Sequence, residues 1–497
     1  MSLTRRTVLF GAGVATGVAG SRLLLGPGRG TSGNNFPPPS EVPTDNILND
    51  ASELNPTRVA KHLTINTDPT EQLIGELRAE LAEARAAGRP FVASTARHSM
   101  GAQSLIGDGT AVTLEQNWLI PDTAASTYRV AAGVRWSEVI RRLDHIGFSP
   151  KVMQSNNDFG VGSTFAVNAH GWPVPHSAFG STVRSLRVMR HDGEVITCSR
   201  SENADQFNLA MGGYGLNGVI IDLEVEMVPN RLLIPTYEIV AGPDLGTRFV
   251  ELLKANPKIE MAYGRLDVTV GAFFDEGLLI TYVPDETNAT VPAASGSGFI
   301  SRMSRPLFRA QVDSDAVKSF RWFLETQVNP RISGGMVSRN SLMNEPVVTL
   351  DDRDPARTDI LHEYFVPPER FAEFVAACKD VIPSSYQQLL NITLRFVDTD
   401  TDSMMAYARG PRIAAVMLFS QEMTTRGEAD MARMTSALIE RTLDIGGTYY
   451  LPYRLHARQA QFERGYPRAR QFAAAKREAD PGLLFRNALW DRYMAHI

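Results

Sequence analysis

The chain has 497 residues, 43% of them hydrophobic and 21% charged, with 50 basic against 55 acidic side chains for a formal charge of −5. Such a chain buries a large core, spread over roughly three domains or fewer, which excludes a disordered protein. The charge balance argues against a surface built for nucleic acid, and two cysteines, Cys198 and Cys378, exclude a disulfide scaffold or an all-cysteine zinc site.

The first residues read as an address. Arg5 and Arg6 precede a short Gly/Ala-rich apolar stretch, the shape of an export signal of the twin-arginine type over residues 1–25. It predicts an exported, periplasmic or cell-envelope protein. Residues 26–53, rich in Gly, Pro and Asn, read as a linker. Folding is expected from Leu54. Asp68-Pro69-Thr70-Glu71 predicts a helix start, with Asp68 as cap and Glu71 closing a capping box. Leu73, Ile74, Leu77 and Leu81 follow at helical spacing, and Gly88 and Pro90 end the helix. Strands are expected at 91–93, 111–114 and 128–132, a helix at 136–145, and a hairpin around Asp192-Gly193 joining 183–191 to 194–198. Another strand covers 219–225. Helices and hairpins mix, so this half reads as α+β, and neither the Rossmann nor the P-loop fingerprint is present.

Two small-residue loops carry chemistry. Ser94–Ser99 follows a strand and can aim successive backbone N–H groups at an anion such as a pyrophosphate. The segment from Gly160 to Gly171 has the same character, so the two can clamp a dinucleotide between them. His170 and His176 match no common zinc spacing, and no metal is predicted.

The order of these pieces resembles the FAD-binding PCMH-type superfamily, also called the vanillyl-alcohol oxidase family. The matching residues are Ala96-Arg97-His98-Ser99, Ala131-Ala132-Gly133, Val161 to Gly171, Val183 to Ser199, Met211 to Ile220, and Lys476 with Asp480-Pro481 and Phe485-Arg486-Asn487. The resemblance implies an α+β fold: a two-part FAD-binding PCMH-type domain over 54–230, and a cap domain over 231–440 with an antiparallel sheet covered by helices. Residues 441–497 return to the FAD site. It implies FAD held by Thr95, Ala96, Arg97, His98 and Ser99 and by Gly162, Ser163, Thr164, Asn168 and His170. Gly218, Val219 and Ile220 lie along the adenine side, and Asn487 joins the cofactor set. His98 is the implied attachment point for covalent FAD.

The second half supplies the substrate side. Strands are expected at 237–240, 261–266, 278–283, 362–366, 391–396 and 414–419, with helices at 244–255, 368–381 and 427–443. The closing segment Gly446 to His456 looks most like the alditol/aldonolactone oxidase and decaprenylphosphoryl-ribose oxidase branch, in which a Tyr matching Tyr450 and a Lys matching Tyr453 line the site. The tyrosine at 453 departs from that pattern, and so does His98, since the ribose oxidase has no histidyl bond. Hydride transfer to flavin N5 needs a base for the hydroxyl proton, and the catalytic candidates are Tyr450, Tyr453, His456, Arg395 and Glu363. Arg395 is placed to stabilise developing negative charge. The segment 295–309, basic and apolar-tipped, reads as a solvated loop, a lid or a peripheral membrane contact.

The implied function is an exported FAD-dependent oxidoreductase that oxidises an alcohol, polyol, sugar or lactone carbon, passing electrons to oxygen or another acceptor. The alternatives are a C–N oxidising flavoenzyme of the cytokinin dehydrogenase type and a flavin-binding protein without turnover.

Overall fold

A computed structural model of the chain describes residues 46–287, 289–295, 306–332, 335–346, 354 and 356–497. The expected export signal and most of the 295–309 segment lie outside these residues. Of that segment Arg309 is described, in an ion pair with Asp359.

The first half is built on two sheets. Strand β1 (Lys61–Ile65), helix α1 (Glu71–Ala86), β2 (Phe91–Ser94) and β3 (Thr110–Leu114) form a small sheet in the order β1-β3-β2, all pairs parallel. α1 buries Leu73, Ile74, Leu77 and Leu81, the stripe that the spacing predicts. Its cap differs from expectation. Thr70 stands at the N-cap without a side-chain capping bond, and Asp68 offers its main-chain carbonyl, not its carboxylate, to the Thr70 amide and hydroxyl. β1 carries little period-two alternation and was not signalled by the sequence.

The second sheet contains β4 (Leu119–Asp122), β5 (Thr127–Ala131), β6 (Phe148–Pro150), β7 (Val183–Met189), β8 (Val195–Ser199) and β9 (Val219–Pro229), ordered β8-β7-β9-β5-β4 with β6 also on β9. Helices α2 (Trp136–His145) and α3 (Val161–Ala166) pack on it. Gly193 takes φ +87° in the turn between β7 and β8, a conformation that favours glycine.

The linker ends earlier than expected. Ile47–Leu48 pairs with Thr57–Arg58, and Asp50 accepts from Ser52, Asn55 and the Ala102 amide. Buried polar groups with this many partners belong to a folded segment.

The chain crosses at Asn230 and Arg231 into an eight-stranded antiparallel sheet. Its strands are β10 (Leu232–Ala241), β11 (Met261–Leu266), β12 (Glu276–Pro284), β13 (Arg357–Val366), β14 (Gln388–Val397), β15 (Arg412–Glu422) and β16 (Thr448–Tyr449). The order is β10-β12-β11-β14-β15-β13-β16, with Val337–Ser338 outside β10. Helices α4 (Leu245–Ala255), α5 (Phe371–Val381) and α6 (Thr425–Asp444) cover one face. Ile360 and Tyr364, Ile392 and Leu394, and Ala415 and Met417 pack there against Phe371, Phe374, Met434 and Leu438. Their odd or even partners must therefore point the other way. The architecture is α+β, with an antiparallel cap sheet backed by helices.

The C-terminal segment returns to the first half. Phe91 donates to Leu484 at 2.7 Å and bridges Phe485. Buried Asp480 accepts from the Leu484 and Phe485 amides and pairs with buried Lys476. Removing one partner of such a pair strands the other charge, which costs about 3–5 kcal/mol. Lys476→Ala is therefore expected to lower the thermal midpoint clearly in a melt followed by circular dichroism; an unchanged midpoint would show that the pair contributes nothing.

Candidate active site

The turn after β2 and the start of α3 meet head on. Thr95 Oγ1 lies 2.7 Å from Ser163 Oγ. A Cβ on Gly160 would collide with the Thr95 side chain, so this approach requires glycine. Arg97 takes φ +50°, and the amides of Ala96, Arg97 and His98 donate to no described residue. Consecutive unpaired amides around a left-handed residue make an anion-binding concavity. Gly162 works from behind: a Cβ there would crowd Ala132, and its amide donates to Ala132 at 2.9 Å, pressing α3 onto the sheet.

A cavity of about 390 Å³ opens between this loop and the cap sheet. Thr95, Ala96, Arg97, His98, Ser99, Ser163, Thr164 and His170 line it from the first half. Glu363, Arg395, Tyr450 and Tyr453 line it from the second. The uncovered sheet face supplies its roof: Arg265, Thr393, Val416 and Glu363 stand in register across four neighbouring strands.

Glu363 is the buried centre of the roof. One carboxylate oxygen meets His170 Nε2, and the other accepts from the Tyr453 hydroxyl at 3.2 Å. Burial, then the neighbouring Glu363, pushes the Tyr453 phenol well above its ordinary range, so it keeps the proton that it donates. Burial draws the Arg395 guanidinium down and Glu363 opposes this. Arg395 Nη1 donates to the His170 carbonyl at 3.3 Å. Tyr450 donates to the Val167 carbonyl at 2.8 Å, so its hydroxyl proton is already engaged. His98 packs on Phe159 with ring centroids 4.5 Å apart, and its Nε2 is 3.7 Å from Asp158. Burial holds its imidazole below the usual range, with Asp158 opposing, so the ring is neutral near pH 7.

Other expected site residues lie outside the cavity. His456 sits behind the sheet, its Nδ1 2.7 Å from Thr435 and its Nε2 2.9 Å from Glu428, because the chain turns away after Tyr453. Gly218, Val219 and Ile220 are buried against β7, with Gly218 at φ +140°. Asn168 is a brace: Oδ1 accepts from Gly180 and Nδ2 donates to Asp400. Asn487 acts at one remove, donating at 2.9 Å to the carbonyl of Tyr214, which lines the cavity. Sequence reasoning missed Trp172, Tyr214, Arg265, Asn391 and Thr393. The polar alternation Asn391, Thr393, Arg395 against apolar Ile392, Leu394, Phe396 was the available signal for β14.

Among the described residues no group of three His, Cys, Asp or Glu is arranged to hold a metal ion. No described helix is long and apolar enough to cross a membrane.

Residues 73–199, which contain both small-residue segments, match the family described as FAD binding domain. The chain carries an FAD-binding PCMH-type domain. Its residues fit FAD. The unpaired amides of 96–98 suit a diphosphate, and buried polar atoms on cavity-lining residues, Ser155 Oγ, His170 Nδ1 and Arg395 Nε, have no partner among the described residues, a lack that a polar ligand can make good. The chain is similar to known proteins over limited stretches. L-gulonolactone oxidase of Mus musculus is 31% identical over 107 residues, 22% of this chain and 24% of the relative. Cytokinin dehydrogenase 9 of Oryza sativa subsp. japonica is 30% identical over 137 residues, 27% and 26% of the two chains. D-arabinono-1,4-lactone oxidase of Yarrowia lipolytica is 24% identical over 202 residues, 38% and 37%. The chain thus matches between 24% and 37% of these relatives' lengths.

Behind the FAD site, Arg454 ties the closing segment to the first loop. It donates to Asn55 Oδ1 at 2.8 Å and to the Met100 carbonyl at 3.2 Å, and it pairs with Glu428. Burial alone would raise the Glu428 carboxyl, but His456 and Arg454 outweigh it and hold it at about 2. A carboxyl depressed from 4.5 to about 2 stabilises the fold fully above pH 4.5 and loses that contribution as pH falls toward 2. In calorimetry across a pH series, Glu428→Gln should flatten the acid limb between pH 4.5 and 2; an acid limb parallel to wild type would remove Glu428 from this role.

Proposed function

We propose that the protein is an exported FAD-dependent oxidoreductase that converts a CH–OH group of a polyol, sugar or lactone into a carbonyl, with its flavin joined to His98. The observation that carries the reaction is Glu363: a buried carboxylate on the cap sheet, facing the amide-lined loop across the cavity, with both oxygens held by named partners. Bound FAD would supply the two-electron acceptor for the hydride of the substrate carbon. Glu363 takes the hydroxyl proton as the C–O bond becomes a carbonyl. Tyr453 and His170 fix the carboxylate so that it need not reorganise. Arg395 faces the oxygen on which negative charge develops. Tyr450 braces the wall through Val167. The neutral, partly exposed imidazole of His98 is an available nucleophile, oriented by Asp158. Attachment there keeps the cofactor on the protein outside the cell, which agrees with the Arg5-Arg6 signal. A variant with lysines at both positions should stay in the cytoplasm on fractionation, and normal export of it would end that part of the proposal.

Two variants test the chemistry. Glu363→Gln should retain flavin absorbance but lose about 10²–10⁴-fold in kcat, whereas a variant with wild-type kcat would rule Glu363 out as the base. His98→Ala should give a protein whose flavin is released on acid precipitation, while the wild-type band stays fluorescent. Covalent flavin in His98→Ala would reject the attachment point.

A second reading has its own support, since relatives from Oryza sativa and Arabidopsis thaliana named cytokinin dehydrogenases match at 27–32% identity. In it Glu363 takes a proton from an amine nitrogen. A panel of polyols, lactones and amines, read by flavin bleaching without oxygen, separates the two.

A further inference from the structure

The roof of the cavity ends in an arginine that the proposed reaction does not use. Arg265 lies three strands from Glu363 in the same row, about 14 Å away at the usual strand spacing. It lines the cavity beside Trp172, and its guanidinium lies 5.6 Å from the ring centre of Tyr263, which stacks on Trp172 at 4.5 Å. Its protein partners are neutral. Nη1 donates to Asn391 Oδ1 at 2.6 Å and to Thr393 Oγ1 at 2.8 Å.

Two carboxylates, one near Arg265 and one on the same row, are committed elsewhere. Glu325 pairs with Arg321 at 2.7 Å, and that arginine is completed by Gln311, the Leu390 carbonyl and Asn391. Glu363 is held by His170 and Tyr453. Among the described residues no carboxylate forms an ion pair with Arg265, and its Nε and Nη2 donate to none of them. A guanidinium has five N–H donors in a planar fork. Two are spent positioning it on Asn391 and Thr393, which leaves the others for a ligand. The indole N–H of Trp172 is also buried without a partner among the described residues. Uncommitted donors around a fixed positive charge, at the end of a cavity remote from the base, form a site for an anion.

From this geometry we infer that Arg265, with Trp172, binds a carboxylate or phosphate ester carried by the substrate at the end away from the oxidised carbon. The inference rests on the reaction proposed above and narrows its substrate class to acidic sugars or polyols. Arg265 is then a specificity-determining residue and takes no part in proton or hydride transfer.

Titration calorimetry on the flavin-loaded protein tests it, with D-gluconate and D-sorbitol 6-phosphate against uncharged D-sorbitol. Wild type should bind at least one of the charged probes roughly 10- to 100-fold more tightly than sorbitol, the worth of a charge-assisted contact. The carboxylate and phosphate probes distinguish the two anions. Arg265→Gln should abolish the preference and Arg265→Lys restore part of it. Lys254→Gln, exposed on α4 and outside the cavity, should leave it intact. Retained flavin absorbance and an unchanged melting midpoint show that each variant is folded. Equal binding of sorbitol and both anions by wild type overturns the inference, as does an undiminished preference in Arg265→Gln. Failure of the reaction is read separately. If the anions bind through Arg265 but no compound in the bleaching panel reduces the flavin, the reaction falls and the anion site stands. If sorbitol bleaches the flavin while Arg265→Gln still prefers anions, the anion site falls and the reaction stands.

Discussion

A carboxylate on the cap sheet meets an imidazole from the first half of the chain, and both are buried. Glu363 and His170 are 193 residues apart in sequence. Taking either group out of water is costly unless the other is in place with its remaining hydrogen bonds made. The contact therefore fixes how the roof sits over the two loops. Tyr453 on the second carboxylate oxygen, and Arg395 on the carbonyl of His170, extend the same constraint to the closing segment and to β14.

The cap sheet serves this arrangement because its two faces are chemically different. Alternate residues of β13, β14 and β15 face either the helices or the cavity. The helix side is closed by Phe, Met and Leu and excludes water. The cavity side carries Glu363, held by His170 and Tyr453, Thr393, held by Arg265, and Arg395, held on the His170 carbonyl. A continuous hydrogen-bonded sheet is a rigid support, so groups on neighbouring strands keep a fixed separation. A proton acceptor at one position and an arginine several strands away thus become a ruler for a ligand lying between them.

The opposite wall obeys a different rule, close approach of backbone. Gly160 allows Thr95 to touch Ser163, and Gly162 allows α3 to press on Ala132. Among the described residues the amides of 96–98 have no partner, because the chain there is a turn beyond the last ladder position of β2. Asn487 and Arg454 then carry the C-terminal segment back against Tyr214 and the first loop. Residues far apart in sequence hold the cavity wall without touching its contents.

Local pattern made much of this legible. The apolar stripe of α1, the Gly193 turn and the strands of the second half follow from periodicities of 3.6 and 2 and from turn chemistry. The small-residue loops were readable as an anion-binding pair, because exposed amides and close glycine approach need small residues there, whereas His98 entered only through the family resemblance. The order of strands was not readable, since an antiparallel sheet can be threaded in many ways from the same segments. Only the fold put β11, β14, β15 and β13 side by side, and so brought Arg265 into line with Glu363. The fold also sent His456 behind the sheet and turned Asn168 and Asn487 into braces. Sequence determined which residues have the chemistry; the long-range pairing of strands decided which of them share a cavity, because side-chain direction alternates locally while neighbourhood is set globally.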